Sequence, residues 1–179
     1  MASNRFWADS TLEPKRQHRW LLYILGADNN SKIPAYVCKK VDKPRIEINE
    51  TEHKFFGHSF FYPGHVTWQD VTVTLVDPIQ PDTSNKLYNL IQGAGYKLPT
   101  ERVGDAPFSV SKAKATNKLG GQIRLEQLNP DSKPIERWYL YSPWIKSVEW
   151  GSLDYTSDDM VEISVTFRYD YARHESIKP

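Results

Sequence analysis

The chain has 179 residues, a formal net charge of +1 and an aromatic share of 13%. That length is enough for one domain with a sizeable core, and so many aromatics exclude an intrinsically disordered chain. The near-neutral charge argues against a strongly basic nucleic-acid binder. The single cysteine, Cys38, excludes an internal disulfide and a cysteine-built metal site, and fits a reducing compartment. No apolar h-region opens the sequence, so no secretion signal is expected. No run approaches the ~20 apolar residues of a membrane span.

Residues 1–17 are polar apart from Phe6 and Trp7. They read as a frayed end or as an arm that packs on a neighbouring subunit. Arg19 to Leu25 is a short apolar run that meets a turn-rich loop, and Ile33 to Lys40 reads as its return strand, giving a hairpin. Arg45 to Asn49 alternates again. Residues 50–59 read as a hairpin tip or a mobile loop, carrying His53, Lys54, Phe55 and Phe56. Pro63-Gly64 is a turn signal. Val71, Val73 and Leu75 mark a strand, and Trp68 is out of phase with it, which predicts a register break near Gln69-Asp70.

Asp82 to Gln92 is the one convincing helix. Asp82, Thr83 and Ser84 offer an N-cap, Leu87, Leu90 and Ile91 share a face, and Gly93 is the expected stop. Residues 93–121 are rich in Gly, Lys, Pro, Ser and Thr and predict a long loop. Its Lys112, Lys114 and Lys118 form a basic cluster, either solvated or facing an acidic partner surface. Gln122 to Leu128 and Glu136 to Tyr141 predict a second hairpin across a turn. Trp144 to Tyr155 follows, with Gly151 as a bend.

The stretch from Ser157 to Tyr171 reads as one long strand. Val161, Ile163, Val165, Phe167, Tyr169 and Tyr171 alternate with Glu162, Ser164, Thr166, Arg168 and Asp170. At ~3.3 Å per residue, its alternating part spans roughly 36 Å, long for a small domain. The elements predict a mainly β chain: a single-domain β-barrel or sandwich with one flanking short α-helix and a long loop. The domain covers 1–179, with an arm at 1–17, a β core at 18–172 and a tail at 173–179.

No catalytic or metal site emerges. His18, His53, His58, His65 and His174 lack metal-ligand spacing, and no nucleophile or phosphate-loop motif occurs. No cofactor is expected, and the chain does not read as an enzyme. Trp138, Tyr139, Tyr141, Trp144 and Trp150 sit among strand-like segments with few interleaved cations, which favours packing over a stacking platform for nucleic acid.

Two stretches, residues 61–78 and 144–172, resemble the tail tube proteins of contractile-tailed, T4-like bacteriophages. In the first, Trp68 precedes the alternating Val71, Val73 and Leu75 and a closing Asp77. In the second, Trp150, Gly151, Leu153, Asp154 and Tyr155 precede the acidic pair Asp158-Asp159 and the strand carrying Val161, Ile163, Val165 and Phe167. The resemblance implies a subunit of hexameric rings that stack into a hollow tube, related to type VI secretion tubes and conducting DNA. The apolar and aromatic members of both motifs would pack in the core. It implies partners in further copies, sheath, baseplate and terminator proteins, and transiently the tape measure protein and DNA. It also implies a place in the virion after assembly in the host cytoplasm. A baseplate tube initiator or tail terminator is the alternative. On this reading Glu162, Ser164, Thr166, Arg168 and Asp170 line the lumen, and His53, Lys54, Phe55 and Phe56 bridge stacked rings.

Overall fold

A computed structural model describes residues 13–24, 26, 33–101 and 109–177. Ten strands, two α-helices and two 3-10 turns follow one another as β1 (Trp20–Ile24), β2 (Cys38–Val41), β3 (Ile46–Phe55), β4 (His58–Trp68), β5 (Val71–Val76), α1 (Thr83–Gly93), α2 (Lys112–Lys118), β6 (Gln122–Leu128), β7 (Pro134–Tyr141), β8 (Trp144–Glu149), β9 (Glu162–Arg168) and β10 (Tyr171–Ser176), with the short turns before β2 and α2. The chain is mainly β. One four-stranded sheet has the order β1-β6-β7-β10, the other β2-β5-β9-β8, and β3-β4 forms a separate hairpin. The two sheets form a sandwich and do not close into a barrel.

Alternation along each strand builds the core. Val71, Val73 and Leu75 on β5 face inward with Ile163, Val165 and Phe167 on β9, all at 1% exposure or less. Leu22, Ile24, Ile123, Leu125 and Leu140 meet them from the first sheet, and Leu87 and Leu90 of α1 join the same cluster. Each such side chain contributes about 1.5–3 kcal/mol on burial.

Helix α1 begins where expected. Asp82 accepts from the Asn85 amide at 2.8 Å. Asp77, at the end of the preceding strand segment, accepts from the Thr83 and Ser84 amides at 3.1 Å and from the Ser84 hydroxyl at 2.5 Å. Two carboxylates therefore satisfy amides that a helix start leaves open, and both complement its dipole. The helix ends at Gly93, with Ala94 as its C-cap, and the chain reverses at Gly95, where φ is +115°.

Several expectations are corrected. The chain carries a second helix, α2, inside the stretch expected to be a loop. Its composition hides it, because only Ala115 and the following Leu119 are buried apolar anchors. Tertiary contact holds it: the Lys118 stem lies so close over α1 that a Cβ on Gly93 would stand 2.9 Å from Cε. Lys112 is ion-paired with Asp170 at 2.6 Å, so the three lysines do not act as one free cluster.

The predicted hairpin of β1 with the return strand does not form. β1 pairs with β6 and β2 pairs with β5, so the chain crosses between sheets, and among the described residues a single bridge links Ile24 to Ile33. The hairpin of β6 and β7 forms as expected. Pro63-Gly64 is not a turn. Pro63 sits opposite Glu50 inside the β3-β4 ladder, beside a register shift between Ile48 and Glu50. The turn is Phe56-Gly57, where both φ values are positive, at 48° and 76°. That is the backbone twist a two-residue hairpin needs.

The single long strand from Ser157 to Tyr171 is broken. β9 belongs to one sheet and β10 to the other, with the crossing at Tyr169-Asp170. Tyr169 is buried there, and the Asp170 amide donates to the Tyr141 carbonyl at 3.0 Å. Residues 173–176, expected in a tail, are paired strand.

Candidate functional site

The outer face of the β2-β5-β9-β8 sheet is polar. Glu162, Ser164, Thr166 and Arg168 are half-buried and point away from Ile163, Val165 and Phe167. The register sets Thr72 beside Thr166 and Thr74 beside Ser164 on β5, and Ser147 and Glu149 beside Thr166 and Ser164 on β8. The centre of this face is therefore a field of hydroxyls, with Thr72 and Thr166 oxygens 3.5 Å apart. Charges sit at its margins, and those of Glu162, Arg168, Lys146 and Asp70 are paired. Glu162 bonds Lys39. Arg168 donates to the Trp68 carbonyl at 2.8 Å and to Asp70 at 3.0 Å, and Lys146 donates to Asp70 at 2.5 Å. Partial burial alone would raise the Asp70 carboxyl; the bonds from Lys146 and Arg168 outweigh it and hold it below the usual range. Asp170 does not share this face. It lies beyond the crossing at Tyr169, against Lys112 of α2, because the strand that was to carry it ends at Arg168.

The edges of this sheet are β2, with the exposed Lys39 and Lys40, and β8, with the exposed Glu149. Successive strands are antiparallel, so the two edges run in opposite directions.

The β3-β4 hairpin prolongs β2 and β5 beyond the sandwich. Its ten-residue strand β3 is exposed throughout, and so is β4 up to its last two residues. At ~3.3 Å per residue the hairpin reaches about 33 Å. His53, Lys54, Phe55 and Phe56 all lie exposed at its tip, with Phe55 and Phe56 rings edge-to-face at 4.4 Å. Phe60, Phe61 and Tyr62 are also about half exposed. A lone two-stranded hairpin is marginal in water.

At the opposite end of the sheet, residues 150–161 leave the sandwich as a loop. Trp150, Leu153 and Tyr155 were expected in the core and are not there. Trp150 is 42% exposed, and Leu153 and Tyr155 stand almost fully in solvent. The cause is Gly151, at φ +79°, which turns the chain outward; a Cβ there would stand 2.5 Å from the Glu162 carbonyl oxygen. Among the described residues nothing covers Leu153 or Tyr155. Hydrogen bonds from the Thr156 amide and hydroxyl to Asp154 shape it and lower that carboxyl below its ordinary value. The loop and Lys39 bound a cavity of 930 Å³. Of the remaining motif residues, Val71, Val73, Leu75, Ile163, Val165 and Phe167 are buried, Val161 is half-buried, and half-buried Trp68 packs 6.2 Å from Tyr169.

Sequence reasoning missed Glu136. Its buried carboxylate accepts from Lys15, from Lys43 at 3.0 Å and from the Trp138 indole at 2.7 Å, with His174 at 3.6 Å. It ties the segment before β1 and the lead into β3 to strand β7. Burial would raise this carboxyl; the three donors overcome that and bring it down to about 2. Its partners lie 93 and 121 residues away, so no local pattern announces it. Among the aromatics, Tyr141 and Tyr171 stack at 4.8 Å across β7 and β10, and Trp138 packs on His174 at 4.7 Å. Among the described residues no group of three His, Cys, Asp or Glu could hold a metal ion. No helix among them is long and apolar enough to cross a membrane.

No protein-family model and no curated protein matches the sequence. Solved structures do match the fold. A chain of the anti-feeding prophage tube-terminating cap aligns with a TM-score of 0.66 at 15% identity, covering 99% of this chain and 100% of that one. A chain of an extracellular contractile injection system, in its PVC sheath-tube complex, aligns at 0.65 and 17% identity, covering 99% of each. The SPP1 tail tube aligns at 0.51 and 12% identity, covering 92% of this chain and 80% of that one. At these identities the likeness is one of fold: the chain has the fold of phage-like tail tube and tube-cap proteins.

Proposed function

We propose that the chain is a structural, self-assembling subunit of the hollow tube of a contractile phage tail, with the β2-β5-β9-β8 sheet facing the channel. The observation that carries this is the pairing of a half-exposed hydroxyl face with two open, oppositely directed edges. Setting β2 of one copy beside β8 of the next continues the antiparallel order and brings Lys39 and Lys40 toward Glu149. Exposed edges are a liability that such joining removes, and a head-to-tail contact closes into a ring when its rotation permits. The rings are hexameric on this reading and stack through the β3-β4 hairpin. The wall's cations Lys39, Lys146 and Arg168 are engaged by Glu162 and Asp70, which leaves few for phosphates, whereas many phosphate contacts would retard passing DNA. Sheath, baseplate, terminator and tape measure proteins are the partners of such a tube, whose place is the virion after assembly in the host cytoplasm.

A second reading, a cap or initiator ring, is favoured by the full-length match to the cap structure. Negative-stain microscopy of the purified protein over a concentration series separates the two. A tube subunit gives rings with a central pore and then long tubes. A cap stops at single rings. A monomer at every concentration contradicts both.

A further inference from the structure

The hairpin and the 150–161 loop leave opposite ends of one sheet. β3 and β4 depart where Val71 pairs with Phe167, and the loop departs where Val76 pairs with Glu162. Strand β5 between them has six residues, a separation of about 20 Å. The two elements therefore cannot meet within one chain without unfolding the sheet, yet each is unfinished alone. The hairpin tip presents Phe55 and Phe56 exposed, with no other described residue covering them. The loop presents Leu153, Tyr155 and Met160 to solvent beside the open space of about 930 Å³ that it bounds with Lys39. Their charges are opposed as well. The cavity is lined by Asp154, Asp159 and Glu162 against the single cation Lys39. The cation of the tip is Lys54, with Glu52 beside it and no carboxylate from residue 53 to residue 58. Lys54 is 3.7 Å from Glu52 and its side chain is 76% exposed, free to turn toward a second acidic surface.

We propose that the cavity beneath the 150–161 loop is the receptor for the β3-β4 hairpin tip of the next copy along the tube axis. Phe55 and Phe56 enter against Leu153 and Tyr155, and Lys54 faces Asp154 and Asp159. Loop and tip then bury in the assembly the apolar residues that each exposes in the single chain. This rests on the tube reading above and adds to it which surface receives the hairpin.

Paired cysteines test the contact. In a Cys38→Ser background, Phe56→Cys and Leu153→Cys are made singly and together, and purified assemblies are oxidised with copper-phenanthroline. Both positions are exposed in the single chain, so folding is not at stake, and circular dichroism checks it. Each copy of the double variant carries one donor and one receptor. The expected result is a reducible ladder extending well beyond two copies, with neither single variant passing the dimer. Tubes that form but give no ladder overturn this inference and leave the tube reading standing. Absence of rings and tubes for the unmodified protein overturns the tube reading itself. A charge exchange provides an independent measure. Lys54→Glu shortens or abolishes tubes while sparing rings, and adding Asp159→Lys restores them. Tubes of normal length from Lys54→Glu and from Asp159→Lys alike would count against the proposed pairing.

Discussion

Replacing Gly151 by alanine probes the bend that lifts the 150–161 loop off the sandwich. Its φ of +79° costs a residue with a Cβ about 1–2 kcal/mol. The new Cβ would also stand 2.5 Å from the Glu162 carbonyl, so backbone must shift. Gly121→Ala is the matched control: φ is +80°, and nothing lies within 4 Å of its Cβ. Both variants incur the conformational cost, and only Gly151→Ala adds the collision. For a domain this size, each kcal/mol lowers Tm by roughly 2–4 °C. Urea unfolding and thermal melts should place Gly151→Ala below Gly121→Ala, and Gly121→Ala about 2–8 °C below the parent on the same slope. Limited proteolysis should cut the displaced loop faster in Gly151→Ala, and tubes should shorten as the receptor cavity deforms. A Gly151→Ala protein that matches the parent in melting, proteolysis and tube length would refute the reasoning.

Three further outcomes follow from buried groups. The Tyr169 hydroxyl is buried without a hydrogen-bond partner, and such a group costs about 1–3 kcal/mol. Tyr169→Phe should therefore raise Tm by several degrees; a marked fall would show that the hydroxyl is bonded. Glu136 titrates at about 2 in the folded chain against 4.5 unfolded, so its stabilisation is complete above pH 4.5 and is lost as pH falls toward 2. Glu136→Gln should flatten that acid-side loss in urea titrations, and an unchanged pH profile would contradict it. Burial pushes the Cys38 thiol up to about 12, so its reaction with a disulfide reagent at pH 8 should be slow until denaturant is added.

Residue pattern gave access to some of this structure and not to the rest. The inward faces of β5 and β9 were legible because Val71, Val73, Leu75, Ile163, Val165 and Phe167 alternate, and alternation is a local signal. Helix α1 was legible from its cap and spacing. The break at Tyr169 was not, because the alternation continues unbroken through Tyr171 while the chain changes sheets. Helix α2 was hidden because two anchors in a polar run have no period to detect. Pro63-Gly64 misled because a bulge and a turn use the same residues, and the deciding partner, Glu50, lies on another strand. Trp150, Leu153 and Tyr155 misled for a different reason: apolar character marks burial somewhere, and a sequence does not say whether the covering surface belongs to the same chain. Of the face around Ser164 and Thr166, β9's share was visible. The contributions of Thr72, Thr74, Ser147 and Glu149 needed the strand order.

A cryo-electron microscopy reconstruction of the assembled protein at side-chain detail decides which sheet faces the channel. Stacked rings are expected, with β2 of one copy paired to β8 of the next and with Thr72, Thr74, Ser164 and Thr166 facing the pore. Rings in which that sheet is turned outward, or in which β1 and β10 form the joining edges, would contradict it.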